Sequence, residues 1–152
     1  MNTEDTLQSA AALLAPWAAN TNSPSDNRLD VNLTTDDLPE AARALHDAGW
    51  GYLAAITGLD LGPEAGELEV LYHYCQAAAV LTLRLKLERE EATVPTLCGI
   101  VPSAGFFERE LSEMLGITVV GAPNTDYLFL PDNWPKGVYP LRKDFQSLAQ
   151  KE

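Results

Sequence analysis

The feature that most constrains the fold is a strict alternation of leucine with polar residues over residues 81–88. Leucine occupies positions 81, 83, 85 and 87, and Thr82, Arg84, Lys86 and Glu88 lie between them. Successive side chains of an extended strand point to opposite faces, so this pattern gives one apolar face and one polar face. It predicts a β-strand in an antiparallel sheet that has one covered face and one wet face.

The rest of the sequence supplies further elements for the same sheet. Strands are predicted for residues 28–33, 50–59 and 67–75, with a hairpin turn at 62–66 and a short last strand at 117–120. Helices are predicted from Thr3 or Asp5 to about Trp17, from Thr34 or Thr35 to Gly49, and from Ser103 to Leu115 before Gly116. Residues 20–27 are predicted to be a polar loop, and residues 95–102 a connection. Because helices and strands do not alternate strictly, the predicted class is α+β, a mostly antiparallel sheet of about four or five strands with about three helices.

Composition bounds the kind of protein. A chain of 152 residues with 46% hydrophobic and 21% charged residues is typical of one globular domain. The net charge of −12 disfavours binding to nucleic acid and unaided binding to an anionic membrane. No apolar run approaches the roughly 20 residues that cross a bilayer, and the acidic N-terminus is unlike a secretory signal. We therefore expect a cytoplasmic protein that does not bind an anionic membrane unaided.

Few residues suggest chemistry. Cys75 and Cys98 are the only cysteines, and without a C-x-x-C pair they predict neither a structural zinc site nor an iron–sulfur cluster. The sequence has no glycine-rich phosphate loop, no G-x-S-x-G motif and no H-E-x-x-H motif. His73 lies in a predicted strand, where a structural role is one interpretation and a general base beside a carboxylate is the other. The second interpretation makes a free-standing acid–base enzyme a remote alternative. Glu110 and Glu113 share a helix face and are expected to form an exposed acidic surface.

The last part of the chain has neither helical nor strand period. Residues 121–152 are rich in proline, aromatic and charged residues, and a long irregular segment in a compact domain is usually functional. Trp134, Tyr139 and Phe145 beside Arg142 and Lys143 are residue types that anchor protein–protein contacts. We predict a scaffold domain, residues 1–120, followed by an extended partner-binding C-terminal arm, residues 121–152. The alternative is that these aromatic side chains pack on the chain's own core.

The second half of the chain carries a specific set of motifs. They are Glu108-Arg109-Glu110, Met114-Leu115-Gly116-Ile117, Leu130-Pro131-Asp132-Asn133-Trp134 and Pro140-Leu141-Arg142-Lys143-Asp144-Phe145, preceded by Val70-Leu71-Tyr72-His73-Tyr74. Together they resemble the signature of the respiratory-chain NADH dehydrogenase 30 kDa subunit family of complex I, over roughly residues 50–145. The family usually has Gly-His-Pro-Asp-Leu-Arg where residues 121–126 read Gly-Ala-Pro-Asn-Thr-Asp.

The resemblance implies a cofactor-free, non-catalytic subunit in the peripheral arm of NADH:quinone oxidoreductase, on the cytoplasmic side of the cell membrane. Its implied partners are the large quinone-site (49 kDa-like) subunit and the small iron–sulfur subunit, and the partner subunits hold the iron–sulfur clusters, flavin and quinone. The alternative is the equivalent subunit of a membrane-bound nickel–iron hydrogenase or formate hydrogenlyase, which residues 134–140 resemble at least as well, with a nickel–iron centre in the partner. The expected partner-binding residues are Glu108, Arg109, Glu110, Trp134, Tyr139, Pro140, Leu141, Arg142, Lys143, Asp144 and Phe145.

Overall fold

The computed structural model of the protein describes residues 1–148 and has the α+β class predicted from the sequence. The elements in chain order are α1 (Thr3–Leu14), β1 (Asn20–Ser25), β2 (Arg28–Asn32), α2 (Leu38–Asp47), β3 (Tyr52–Asp60), β4 (Glu67–Gln76), β5 (Ala79–Glu88), β6 (Thr93–Pro95), α3 (Ala104–Leu115) and β7 (Thr118–Val120). A 3₁₀ turn, Arg89–Glu91, follows β5. Residues 149–152, the end of the predicted arm, lie outside the described residues.

The leucine-rich strand, β5, lies at the centre of the main sheet. This sheet has five strands in the order β1-β2-β5-β4-β3. Strand β5 runs antiparallel to β4, with Leu83 opposite Tyr72, and parallel to β2, with Leu83 opposite Val31. The sheet is therefore mixed, and the β2–β5 pairing is its parallel one. The prediction of a mostly antiparallel sheet is confirmed.

The sequence did not predict two of the strand pairings, β1 with β2 and β6 with β7. The prediction of a loop at residues 20–27 is wrong, because Asn20–Ser25 form strand β1 at the sheet edge, antiparallel to β2. All six residues of β1 are exposed, so no apolar alternation marks the strand. Strand β6 pairs in parallel with β7, Val94 opposite Val119, in a separate two-stranded sheet. Strand β7 lies within the strand predicted at 117–120, whereas β6, which was not predicted, has only three residues and is too short to show a period.

One hydrophobic core lies between the main sheet and the helices. Leu81, Leu83 and Leu85 of β5 are fully buried, as the alternation predicted, and they share this core with Leu14 of α1 and Leu45 of α2. On the polar face of β5, Lys86 and Glu88 are exposed while Arg84 is half-buried. The strand therefore has the apolar and polar faces that its sequence indicates.

Helix α3 packs closely on strand β3, and a glycine makes the approach possible. A Cβ atom at Gly58 would collide with the side chains of Leu111 and Leu115. At its C-terminal end the helix stops at Gly116, which has a φ of 73° in the left-handed region. A Cβ atom at Gly116 would collide with the ring of Tyr139, so the arm also approaches the helix end closely.

The three helices of residues 1–148 are short. They contain 12, 10 and 12 residues, and at a rise of 1.5 Å per residue a 12-residue helix is only about 18 Å long. A bilayer core is about 30 Å thick. Within the described residues no helix is both long and apolar enough to span it.

Candidate partner-docking site

Helix α3 holds the first part of the C-terminal arm with two side chains one turn apart. Arg109 donates from Nε to the carbonyl of Asp126 and from Nη2 to the carbonyl of Tyr127, both at 3.0 Å. Glu113 accepts the next three backbone N–H groups, those of residues 128, 129 and 130, at 3.0, 2.9 and 3.2 Å. The arginine therefore binds carbonyl oxygens and the glutamate binds amides, so each charge meets peptide groups of matching polarity.

This position of Glu113 corrects a sequence prediction. The expected exposed acidic face of Glu110 and Glu113 is wrong, because Glu113 is only 4% exposed and Glu110 is half-buried. The physical reason is that a carboxylate can replace its lost water with hydrogen bonds to N–H groups, and irregular backbone needs such acceptors. The signal available in the sequence was the length of the irregular segment, whose peptide groups must find partners outside a helix or sheet.

The second part of the arm is fixed to the C-terminal end of helix α3. Arg142 donates from Nε to the carbonyl of Leu115 at 2.7 Å, and its guanidinium lies 5.0 Å from the centre of the Tyr139 ring. The backbone N–H of Leu141 donates to the carbonyl of Met114 at 3.0 Å. These bonds satisfy carbonyl groups that the end of α3 leaves without helical partners.

A buried arginine joins the arm to strand β3. Arg89, 4% exposed, donates to Asp60 through Nη1 and to Asp144 through Nη2, the latter at 2.8 Å. Asp60 also accepts the backbone N–H of Lys143 at 2.7 Å and that of Gly62 at 2.8 Å. Burial alone would raise the pKa of Asp60, but these two N–H groups and the Arg89 guanidinium together lower it below its ordinary value. Asp60 is therefore held as a carboxylate.

The sequence analysis did not single out Arg89 or Asp60. Arg89 lies in the charged run after β5, a pattern typical of a solvated strand end. Its two partners, Asp60 and Asp144, are 29 and 55 positions away in the chain. No local pattern marks such a pair. Asp144 was among the predicted partner-binding residues, and the structure places its carboxylate on Arg89 of the same chain.

Glu108 is a buried acid on α3. It is 2% exposed and accepts the backbone N–H of Leu97 at 2.6 Å and the hydroxyl of Thr96 at 2.7 Å. The thiol of Cys98 lies 3.4 Å from the same carboxylate. Burial raises the pKa of Cys98, and the neighbouring Glu108 charge and hydrogen bond raise it further against the opposing effect of Thr96. Glu108 therefore fastens residues 96–98 to the helix, and Cys98 stays a neutral thiol.

Two aromatic residues of the arm, Trp134 and Phe145, pack on each other. The Trp134 and Phe145 rings lie 6.4 Å apart between centroids, and the indole N–H of Trp134 donates to the carbonyl of Val138 at 2.8 Å. Both rings are half-buried, as are Tyr139 and Pro140. Other side chains of the arm are exposed: Leu141 to 57% and Phe129 to 65%, together with Lys143. The predicted partner-binding residues thus divide into side chains turned to the chain itself and side chains available to a partner.

The histidine singled out in the sequence lies on the polar face of the sheet. His73 has a threonine hydroxyl on each ring nitrogen, Thr82 at 3.1 Å from Nδ1 and Thr57 at 3.2 Å from Nε2. Burial and the charge of Arg28 lower its pKa, against an opposing effect of Asp30. The hydroxyls occupy the positions that a carboxylate would need to form an acid–base pair with this histidine.

The acidic side chains near His73 form ion pairs with an arginine, Arg84. Arg84 pairs with Asp30 at 2.9 Å and with Glu69 at 2.6 Å. The hydrogen bond that Arg84 donates to Glu69 raises the pKa of Arg84 despite its partial burial, and Asp30 adds to the effect. Among residues 1–148, no group of three or more His, Cys, Asp or Glu side chains is arranged to hold a metal ion.

The fold and this site define a class of protein: an α+β domain whose irregular C-terminal arm is bound across its last helix. The chain belongs to the family described as respiratory-chain NADH dehydrogenase, 30 Kd subunit, whose sequence model matches residues 31–151. The resemblance inferred from the motifs is thereby confirmed.

Curated relatives come from two kinds of complex. The chain is 31% identical to formate hydrogenlyase subunit 5 of Escherichia coli over 128 residues, covering 82% of this chain and 22% of the relative. It is 33% identical to the C subunit of NADH-quinone oxidoreductase from Moorella thermoacetica over 100 residues, covering 64% of this chain and 66% of the relative. A third relative is the membrane-bound hydrogenase subunit beta of Pyrococcus furiosus, 36% identical over 60% of this chain and 54% of the relative. The chain thus spans from about a fifth to about two thirds of these relatives' lengths.

Solved structures share the fold. A chain from the structure of the membrane-bound sulfane sulfur reductase, described as an archaeal respiratory membrane complex, superposes with a TM-score of 0.80 at 25% identity, covering 96% of this chain and 86% of that one. A trypsin-resistant fragment of Nqo5 superposes with a TM-score of 0.64 at 24% identity, covering 82% of this chain and 99% of the fragment. The second likeness concerns the fold alone.

Proposed function

We propose that this chain is a subunit of NADH:quinone oxidoreductase that holds no redox centre and that positions the large quinone-site subunit during electron transfer from NADH to quinone. The observation that carries the proposal is that the arm has two sets of groups, one bound to its own domain and one exposed. Its backbone and charged side chains are bound by α3, Asp60 and Arg89. Its large apolar side chains Phe129 and Leu141 stay more than half exposed.

This arrangement suits a docking surface. The arm is ordered by hydrogen bonds to its own domain, so a partner that binds it would not bear the full entropic cost of ordering a free tail. Exposed apolar side chains on a pre-ordered surface are the type of group that becomes the buried centre of a protein interface. The family membership supports a partner within a respiratory complex.

The proposal assigns the chemistry to neighbouring subunits. The iron–sulfur clusters, flavin and quinone belong to partner subunits, among them the large 49 kDa-like subunit and the small iron–sulfur subunit. This chain attaches to the membrane peripherally, through the complex, on the cytoplasmic side. Its contribution is the shape and the charge that hold the large subunit in place.

A second candidate is the equivalent subunit of a membrane-bound nickel–iron hydrogenase or formate hydrogenlyase. Two similarities favour it: the match to formate hydrogenlyase subunit 5 covers 82% of this chain, and a hydrogenase subunit beta is 36% identical. The same docking surface serves both candidates. The identity of the large partner subunit distinguishes the two candidates, because the large subunit of a hydrogenase ligates nickel through a pair of C-x-x-C motifs.

The test is affinity capture of the tagged full-length chain from native membranes, with partners identified by mass spectrometry and metals assayed. The proposal expects a large subunit and an iron–sulfur subunit in constant ratio to the tagged chain, with iron and without nickel. Nickel together with a large subunit bearing C-x-x-C motifs identifies the hydrogenase candidate. Recovery of the tagged chain alone, from membranes where both partners are present, would overturn both.

A further inference from the structure

A small groove lies between helix α3 and strand β3. Its volume is about 260 Å³, and its apolar walls include Ile56 of β3, Phe107 and Met114 of α3, and Leu141 of the arm. The absence of a side chain at Gly58, on the same strand, lets the helix approach this closely. Small-molecule sites in proteins usually measure about 300–1,000 Å³. The groove is therefore of a size to receive one or two side chains of another polypeptide.

One charged side chain lines this groove. Glu110 is half-buried in it, and its helix neighbours use their charges within the chain: Glu108 on residues 96–98 and Arg109 on the arm. Within residues 1–148 the Glu110 carboxylate has no hydrogen bond or ion pair. A carboxylate in partly apolar surroundings without a partner costs free energy, which a cation arriving with a partner would recover.

Exposed apolar side chains flank the carboxylate. Phe106, one helical turn before Glu110 and outside the groove, is 62% exposed, and Leu141 on the groove wall is 57% exposed. When a partner covers the large apolar side chains beside a charged group, they keep water away from an ion pair formed there.

The geometry points to one occupant: a segment of the large partner subunit that carries an arginine or lysine between apolar side chains, with its cation paired to Glu110. This assignment rests on the proposed function and adds a specific contact to it. A second copy of this chain is disfavoured as the occupant, since two chains of net charge −12 repel each other. A stable interface buries roughly 800 Å² on each side, so the groove is one anchor beside the arm.

The first experiment reverses the charge in the full-length chain within its native complex. Glu110→Arg is expected to lower recovery of the large subunit by at least about tenfold, because it places two cations together at a desolvated contact. The matched control is Glu64→Arg, which makes the same charge change at an exposed turn and should leave recovery unchanged. Thermal unfolding of the isolated Glu110→Arg chain should match that of the unmodified chain. Undiminished recovery with Glu110→Arg overturns the assignment.

The second experiment identifies the occupant. A photo-crosslinking amino acid in place of Leu141 is expected to capture a large-subunit peptide with a basic residue flanked by apolar ones. The same group in place of Tyr52, 65% exposed and outside the groove, is the control. Reversing the captured basic residue to glutamate should restore assembly of Glu110→Arg.

The outcomes separate the contact from the proposed function. If a large-subunit peptide is captured from position 52 but not from position 141 in an intact complex, the assignment of the groove is wrong and the docking function stands. Capture of another copy of this chain from position 141 also overturns it. Failure of the unmodified chain to recover any large subunit removes the proposed function and the groove together.

Discussion

At the level of single residues, four acidic side chains on or near α3 have four different environments. Glu108 holds residues 96–98, Glu113 holds the arm, Asp60 holds Arg89 and Lys143, and Glu110 faces the groove without a partner among residues 1–148. Their residue types alone could not distinguish them, because each environment is made by chain segments distant in sequence. The sequence did identify Glu108-Arg109-Glu110 as a motif. It did not indicate that the first of these is buried.

Removal of the Glu113 carboxylate is expected to loosen the arm. Glu113→Ala leaves three backbone N–H groups without their acceptor and should lower the free energy of unfolding by about 2–3 kcal/mol. Urea denaturation measures the loss, and amide hydrogen exchange at residues 128–130 should accelerate. Glu110→Ala, three residues earlier on the same helix, is the control and should change stability by less than about 0.5 kcal/mol. Equal effects from the two substitutions would refute this function of Glu113.

The Asp60 carboxylate should make stability depend on acid pH. Its pKa in the folded chain lies below the ordinary value of 3.8, so its contribution is complete above pH 3.8 and is lost as the pH falls through the folded pKa. Asp60→Asn should lower stability at pH 7, because it removes the closest counter-charge of buried Arg89. Denaturation at pH 2 to 7 should show the difference between the two proteins shrinking below pH 3.8. A difference that is constant over this range would mean that Asp60 is not an ionised partner of Arg89.

At the level of elements, the two-residue period made β5 predictable and the short strand β7 was also predicted, whereas the exposed strand β1 and the three-residue strand β6 were not. The alternation of β5 placed its leucines in the core because burial of one face is what such a pattern can satisfy. Strand β1 is exposed throughout, so its pairing with β2 had no apolar signal. The parallel pairing of β2 with β5 is a property of topology that neither strand's sequence states.

A charge on the apolar face of β5 is expected to unfold the domain. Leu83 is fully buried between β2 and β4, and Leu83→Asp combines a lost apolar side chain with a buried, unpaired charge. The loss should exceed about 4 kcal/mol, visible as a missing cooperative transition in circular dichroism. Lys86→Gln, on the exposed part of the same strand, should unfold within a few degrees of the unmodified chain. A cooperative transition retained by Leu83→Asp would contradict the placement of this strand in the core.

At the level of the whole molecule, hydrogen bonds and ion pairs join the arm to the domain, so that the two form one continuous surface. The sequence predicted an irregular, aromatic and basic arm, and within residues 121–148 the structure contains no helix or strand of the sheets described above. The sequence could not predict the hydrogen-bond partners of Arg142 and Asp144. These partners, Leu115 and Arg89, lie 27 and 55 residues away in the chain. We propose that this composite surface is what the chain contributes to a complex.

The most direct test of that claim compares the full-length chain with a chain truncated after Val120, each tagged and expressed in its native host. Near-ultraviolet and far-ultraviolet circular dichroism first establishes that the truncated domain is folded. This is expected because, within residues 1–148, the buried core contains no residue of the arm, of which Ala122 packs against it. The measurement is the amount of large subunit recovered per tagged chain. We expect at least about a tenfold lower recovery with the folded, truncated chain, and equal recovery would contradict a docking function of the arm.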